Sequence, residues 1–250
     1  GIVPLHVIVG ENDYVDDDKI DLTAMQEDLS SYKGKTSTSS PSPHEWENAF
    51  GDADVVFCIT VTSSLSGTYN SAVIAKDIYE QNHAGRKVYV LDSLSTGPEI
   101  ALFIEKIAEL IKAGFAPDDI YKALLEYKDK THLYFSLASL NNFAKNGRIS
   151  PVIAAGIGLL GVRVVGKASD EGTLLPLDKC RGEKRALKKL IDHLKECGYT
   201  DGKIIIAHNN NEAGALELKK LIENTFGIFN GTIQKTRALC SYYAEPGSLL

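Results

Sequence analysis

Short apolar runs alternate with amphipathic stretches along the first half of the chain. Residues 3–9 read as a strand and residues 20–32 carry helical spacing, with the acidic stretch Asp13, Asp16, Asp17 and Asp18 as a loop between them. Residues 35–43 are rich in Ser, Thr and Pro and read as a loop. A short helix over 44–50 follows, with Ser42 as N-cap and Pro43 at its first position. The unbroken apolar runs 55–61 and 87–91 have strand length, the pattern of strands covered on both faces. Helices are predicted over 66–81, 96–113 (closed by Gly114) and 118–128. Strand, loop and helix in this order predict a parallel sheet with helices on its faces.

The second half changes character. Strands over 133–137, 162–168 and 174–180 are expected, the last two flanking Asp170-Glu171-Gly172 as a hairpin. A turn at 147–150 leads into a small-residue helix over 151–160. An amphipathic helix over 183–196, a strand over 204–208, a helix over 212–225 and a strand over 231–240 complete the chain. Hairpins mixed with helices indicate an α+β unit. The expected organisation is therefore α/β, with an N-terminal parallel-sheet α/β domain over 1–131 and a C-terminal α+β domain over 132–250.

Composition narrows the function. The chain has 250 residues, 44% hydrophobic, and a net charge of −6. An acidic chain lacks the basic footprint of a nucleic-acid binder. No stretch approaches the roughly 20 apolar residues of a transmembrane helix. Cys58, Cys180, Cys197 and Cys240 are dispersed without a CxxC pair, which argues against zinc and for reduced thiols in the cytoplasm. Cys58, inside an apolar run, reads as core filler. The histidines show no metal-ligand spacing, and His208 reads as a strand-end residue facing solvent. The Asp13–Asp18 region reads as a solvated charge run. No GxSxG, GxxxxGK[ST] or HExxH motif is present.

The most informative segment is Thr62-Ser63-Ser64-Leu65-Ser66-Gly67-Thr68, between a buried strand and a helix. The first amides of a helix lack internal partners and carry the positive end of its dipole, so anions bind there. One hydroxyl suffices to cap a helix, and five within seven residues exceed that need. Arg148, after Gly147 in a turn, can fork onto a carboxylate or phosphate, or bond backbone carbonyls. Arg181, between a strand and a helix, has the same two options.

In this order, TSSPSP at 38–43, SSLSGTYNSA at 63–72, Asp92-Ser93, NGRIS at 146–150 and KCRG at 179–182 resemble the motif set of the DegV family over nearly the whole chain. The resemblance implies a two-domain fold burying a long-chain fatty acid between its domains. It also implies a non-catalytic role, with no cofactor beyond the bound lipid, and a bacterial fatty acid kinase subunit as partner. Thr38 and Ser63 take the family's carboxylate positions, with Ser66 and Gly67 at the adjoining helix start. Arg148 and Arg181 take the positions linked to partner or phosphate recognition. Tyr243-Ala244-Glu245-Pro246-Gly247 departs from the family's HxGPG: Tyr243 stands for His and Glu245 for Gly. Tyr243 can still hydrogen-bond a head group, whereas Glu245 adds negative charge near an anion site. The family's Asp-Ser-rich first strand is not among these residues. Tunnel walls are expected from Ile153, Ile157, Leu159, Leu160 and Val162. Two other classes remain open: an acyl-transfer or hydrolytic enzyme with Ser63 or Ser66 as nucleophile, and a binder of another small anionic metabolite.

Overall fold

The apolar runs expected to form covered strands are β4 (Val55–Thr60) and β5 (Lys87–Asp92), paired parallel with Val55 opposite Lys87. In this computed structural model, which describes residues 1–154, 157 and 161–250, both faces of that pair are covered. On one face Cys58, Val88 and Val90 pack with α2 (Pro43–Phe50) and α3 (Thr68–Asn82) through Trp46, Phe50, Ala72, Ala75 and Tyr79. On the other, Phe57, Ile59 and Leu91 pack with α4 (Pro98–Lys112) and α5 (Pro117–Lys128) through Phe103, Leu110, Ile120 and Leu124. Alternate side chains of one strand thus enter two separate cores, which is why the run has no polar face.

The chain divides into two units, one of Gly1–Thr131 with Asp170–Thr173, the other of His132–Ser169 with Leu174–Leu250. The first unit also holds an antiparallel sheet of β1 (His6–Val9), β2 (Asn12–Val15) and β3 (Thr36–Ser39), with β1 central. The loops expected over 13–18 and 35–43 are thereby corrected: Asp13 lies in β2 and Thr36 to Ser39 form β3. Tertiary contacts decide this. Gly10, at φ +63, turns β1 back so that Val9 faces Asn12. β2 is then clasped to α1 (Leu22–Ser31) by Asp28, which accepts from Asn12 at 2.6 Å and from the Tyr14 hydroxyl at 2.5 Å. α2 starts at a capping box: Ser42 Oγ accepts from the Glu45 amide, and Glu45 returns the bond to the Ser42 amide at 2.7 Å.

In the second unit β6 (Tyr134–Leu137), β7 (Val162–Ala168) and β8 (Leu174–Arg181) form an antiparallel sheet, while β9 (Ile204–His208) and β10 (Gly231–Lys235) pair parallel. Leu249 bridges antiparallel to both Ser136 and His208 and joins the two. α8 (Glu183–Glu196) and α9 (Glu212–Phe226) cover one core through Ala186, Leu187, Leu190, Ala215 and Leu218, packed with Val165 and Ile206. α6 (Asn141–Lys145), α7 (Pro151–Ala154) and α10 (Ala238–Ala244) belong to a second core with Phe135, Leu137 and Val164. The strand expected over 231–240 is corrected, since it ends at Lys235 and α10 follows. His208 is also corrected. It is 4% exposed, its backbone sits inside the sheet, and its Nδ1 accepts the Asn211 amide at 3.3 Å. Ile157 is buried in the second core and Val162 packs against it, while Ile153 is 42% exposed; Leu159 and Leu160 lie outside the described residues.

Candidate functional site at two helix starts

β4 ends at Thr60, and the next residues climb to α3 without a side-chain cap; Gly67 is the N-cap, at φ −73 and ψ −1. The five hydroxyls on this turn have different employments. Thr62, 3% exposed, donates to the Gly172 carbonyl at 2.9 Å, and Ser64 donates to the Glu171 carbonyl at 2.5 Å. Ser66 Oγ lies 2.8 Å from Thr68 Oγ1 and accepts the Thr68 amide. Ser63 is exposed, and its hydroxyl has no hydrogen-bond partner among the described residues; the same is true of the Gly67, Tyr69 and Asn70 amides.

Asp92 organises the turn. Its carboxylate accepts the Ser63 amide at 3.1 Å and the Leu94 amide at 3.1 Å. Leu94 sits at φ +52, a conformation that costs a side-chain-bearing residue about 1–2 kcal/mol. Ser95 returns along the loop: its carbonyl accepts the Thr62 amide at 2.8 Å. The Ser95 hydroxyl is buried without a partner among the described residues. Asp92 and Ser95 were not singled out as site residues from the sequence. An Asp-Ser pair directly after a buried strand is the available signal, because Asp side chains organise such turns through nearby amides.

Thr38 is half-buried in β3, opposite Val7 of β1. The segment it opens meets the start of α3: a Cβ placed on Gly67 would stand 3.2 Å from Ser40 Oγ. Ser40 is thus brought to the helix start, although nothing in its local pattern sets it apart from its neighbours.

The second unit gathers Arg148 and Tyr243 around α6. The Arg148 amide donates to the Phe143 carbonyl at 2.8 Å, and its Nη1 donates to the Asn146 carbonyl at 2.7 Å. Of the two options open to this arginine, backbone bonding is present. The Tyr243 ring lies 4.9 Å from that of Phe143. Arg181 is placed elsewhere, exposed at the end of β8 opposite Val162. Glu245 accepts from Ser139 Oγ at 2.9 Å and from the Asn142 amide at 3.0 Å. Its charge is therefore directed at the start of α6. Cys58 is inert, since burial pushes its thiol up to about 12. Among the described residues no group of three His, Cys, Asp or Glu side chains is placed to hold a metal ion, and no helix is long and apolar enough to cross a membrane.

An α/β protein of two units, with a hydroxyl-rich helix start whose Gly67, Tyr69 and Asn70 amides are unbonded among the described residues, is the class these observations define. A family model described as "Uncharacterised protein, DegV family" matches residues 1–249. A DegV domain-containing protein of Streptococcus pneumoniae is 41% identical over 248 residues, covering 99% of this chain and 88% of that protein. The chain belongs to the DegV family. Among solved structures, the Streptococcus pneumoniae Fatty Acid Kinase (Fak) B3 protein loaded with linoleic acid is similar, with a TM-score of 0.97 and 40% identity over 99% of this chain and 88% of that chain. A DegV family protein from Eubacterium eligens loaded with heptadecanoic acid gives a TM-score of 0.96 and 40% identity over 99% of this chain and 90% of that chain.

Proposed function

We propose that this protein binds a long-chain fatty acid and holds the carboxylate at the turn between β4 and α3. The observation that carries this reading is that the Ser63 hydroxyl and the Gly67, Tyr69 and Asn70 amides, all on the turn into α3, are unbonded among the described residues, while Thr62 and Ser64 are committed elsewhere. A buried carboxylate must exchange its water contacts for donors, because an unpaired charge is very costly to bury. Four donors at the positive end of a 15-residue helix meet that need without a cation. Thr38, Ser66 and Gly67 complete the proposed head-group set. Relatives that are 40% identical are described as loaded with heptadecanoic and linoleic acid. Each buried methylene adds about 0.8 kcal/mol, so the acyl chain supplies most of the affinity.

The protein acts as a carrier. A serine nucleophile needs an adjacent base, and among the described residues no histidine hydrogen-bonds Ser63 or Ser66. The likeness to the Fak B3 protein supports a fatty acid kinase subunit as partner, with Arg148, Arg181 and Tyr243 as its contacts or as second contacts to the head group. The test is native mass spectrometry of protein purified from cells, followed by calorimetry with heptadecanoic acid. A co-purified species of fatty-acid mass that heptadecanoic acid displaces is the expected result. Absence of both co-purified lipid and uptake would overturn the reading.

A further inference from the structure

We propose that Glu245 is a positioning residue for the Arg148 turn, its carboxylate pinning the start of α6 to the C-terminal segment and so fixing the frame in which Arg148 is presented. Glu245 has φ +58, a left-handed conformation that glycine adopts freely and glutamate does not. An offset is needed, and it lies in the side chain. One oxygen, Oε1, accepts both the Ser139 hydroxyl and the Asn142 amide. The Asn141 amide is taken by Ser139 Oγ at 3.1 Å, so Glu245 and Ser139 together satisfy the beginning of a five-residue helix too short to stand alone.

Further bonds close the frame. Asn142 Nδ2 donates to the Tyr242 carbonyl at 2.7 Å. Asn146 Nδ2 donates to the Asn142 carbonyl at 2.9 Å and to the fully buried Tyr242 hydroxyl at 2.8 Å. Arg148 follows within two residues of Asn146 and hangs from the same helix through its amide bond to Phe143. Helix and turn are therefore tied to α10 at both ends, by Glu245 at the start and by the Tyr242 hydroxyl at the finish. The link acts through Arg148 and touches no ligand. That Arg148 then meets an anion or a partner rests on the functional reading above.

The experiment compares Glu245→Gln, which keeps an acceptor oxygen, with Glu245→Gly, which removes it while relieving the backbone. Amide hydrogen exchange at Asn142, Asn146 and Arg148 and the Arg148 Nε–H resonance are followed by NMR on the full chain. Charge-assisted bonds of this kind hold an opening equilibrium back by about tenfold or more. Glu245→Gly is expected to speed exchange at these amides by about tenfold or more and to move the Arg148 Nε–H signal. Glu245→Gln, which keeps the acceptor but not its charge, is expected to fall clearly between wild type and Glu245→Gly in both. The thermal midpoint separates a local release, where it holds, from general unfolding. Unchanged exchange in Glu245→Gly, or equal loss in Glu245→Gln, would overturn the proposal. Because none of these readouts uses lipid, failure of the wild type to bind heptadecanoic acid would count against the functional reading alone.

Discussion

The starts of α3 and α6 solve the same problem in opposite ways. Every helix begins with amides that its own backbone cannot satisfy. At α6 the chain supplies the acceptors itself, from Ser139 and from Glu245 a hundred residues away in sequence. At α2 the Ser42–Glu45 capping box does so locally, and at α9 Asn211 accepts the Gly214 amide. α3 is different: Gly67 offers no side chain, Ser66 accepts only the Thr68 amide, Ser64 bonds elsewhere, and three amides stay unbonded among the described residues. A helix start completed by its own chain contributes stability. The α3 start, left incomplete, is where the proposed carboxylate is assigned. Hydroxyl count alone does not separate the two, since the α3 turn contains both kinds.

Gly172 is the most sensitive position at the α3 turn. It sits at φ +76, and a Cβ there would overlap Thr62 Oγ1 and crowd the Leu94 backbone. Gly172→Ala should destabilise the protein by about 2–4 kcal/mol, from left-handed strain plus overpacking. Gly114, at φ +78 with nothing within 4 Å of its Cβ position among the described residues, is the control: Gly114→Ala should cost only about 1 kcal/mol. Equal losses in urea denaturation would show that strain alone matters and that the Thr62 contact is incidental.

Ser63 and Thr62 should then part company. Ser63→Ala should weaken heptadecanoic acid binding by about 1.5–3 kcal/mol in calorimetry and change stability by less than about 0.5 kcal/mol. Thr62→Val removes a buried donor from the Gly172 carbonyl and should lower stability by about 1–3 kcal/mol. If Ser63→Ala lowers stability as much as Thr62→Val does, the division between structural and binding hydroxyls fails. Arg148→Ala should weaken lipid binding by less than about 1 kcal/mol, because its guanidinium already bonds the Asn146 carbonyl. A larger loss than in Ser63→Ala would move the head group to the second unit.

The smallest effect is a pH dependence at the clasp between β2 and α1. The hydrogen bond to Asp28 pushes Tyr14 up to about 12, and the same bond holds Asp28 below the usual carboxylate value of 3.8. The raised Tyr14 contributes stability below its ordinary value of 10.0, lost as pH rises toward about 12. The depressed Asp28 contributes stability above 3.8, lost as pH falls below that. The stability difference between wild type and Tyr14→Phe should be flat from about pH 5 to about pH 9 and shrink at both ends. A slope inside that window would place the relevant titration elsewhere.

Elements whose causes are local are legible along the chain. An unbroken apolar run announced β4, Ser42 and Pro43 announced the start of α2, and the spacing of Ala186, Leu187 and Leu190 announced α8, because period and capping are written in neighbouring residues. Its excess of hydroxyls also drew attention to the α3 turn, where the head group is proposed to sit. Pairings between residues far apart in the chain arise only once it folds. Asp13 and Thr36 to Ser39 became strands because β1 offered edges to pair with. His208 was buried because Leu249 closed the sheet beside it. Glu245, an unwelcome charge near an anion site when read along the chain, is the acceptor that completes α6. Which hydroxyls are structural, and which remain free, follows from carbonyls more than a hundred residues away, and no local pattern encodes a partner at that distance.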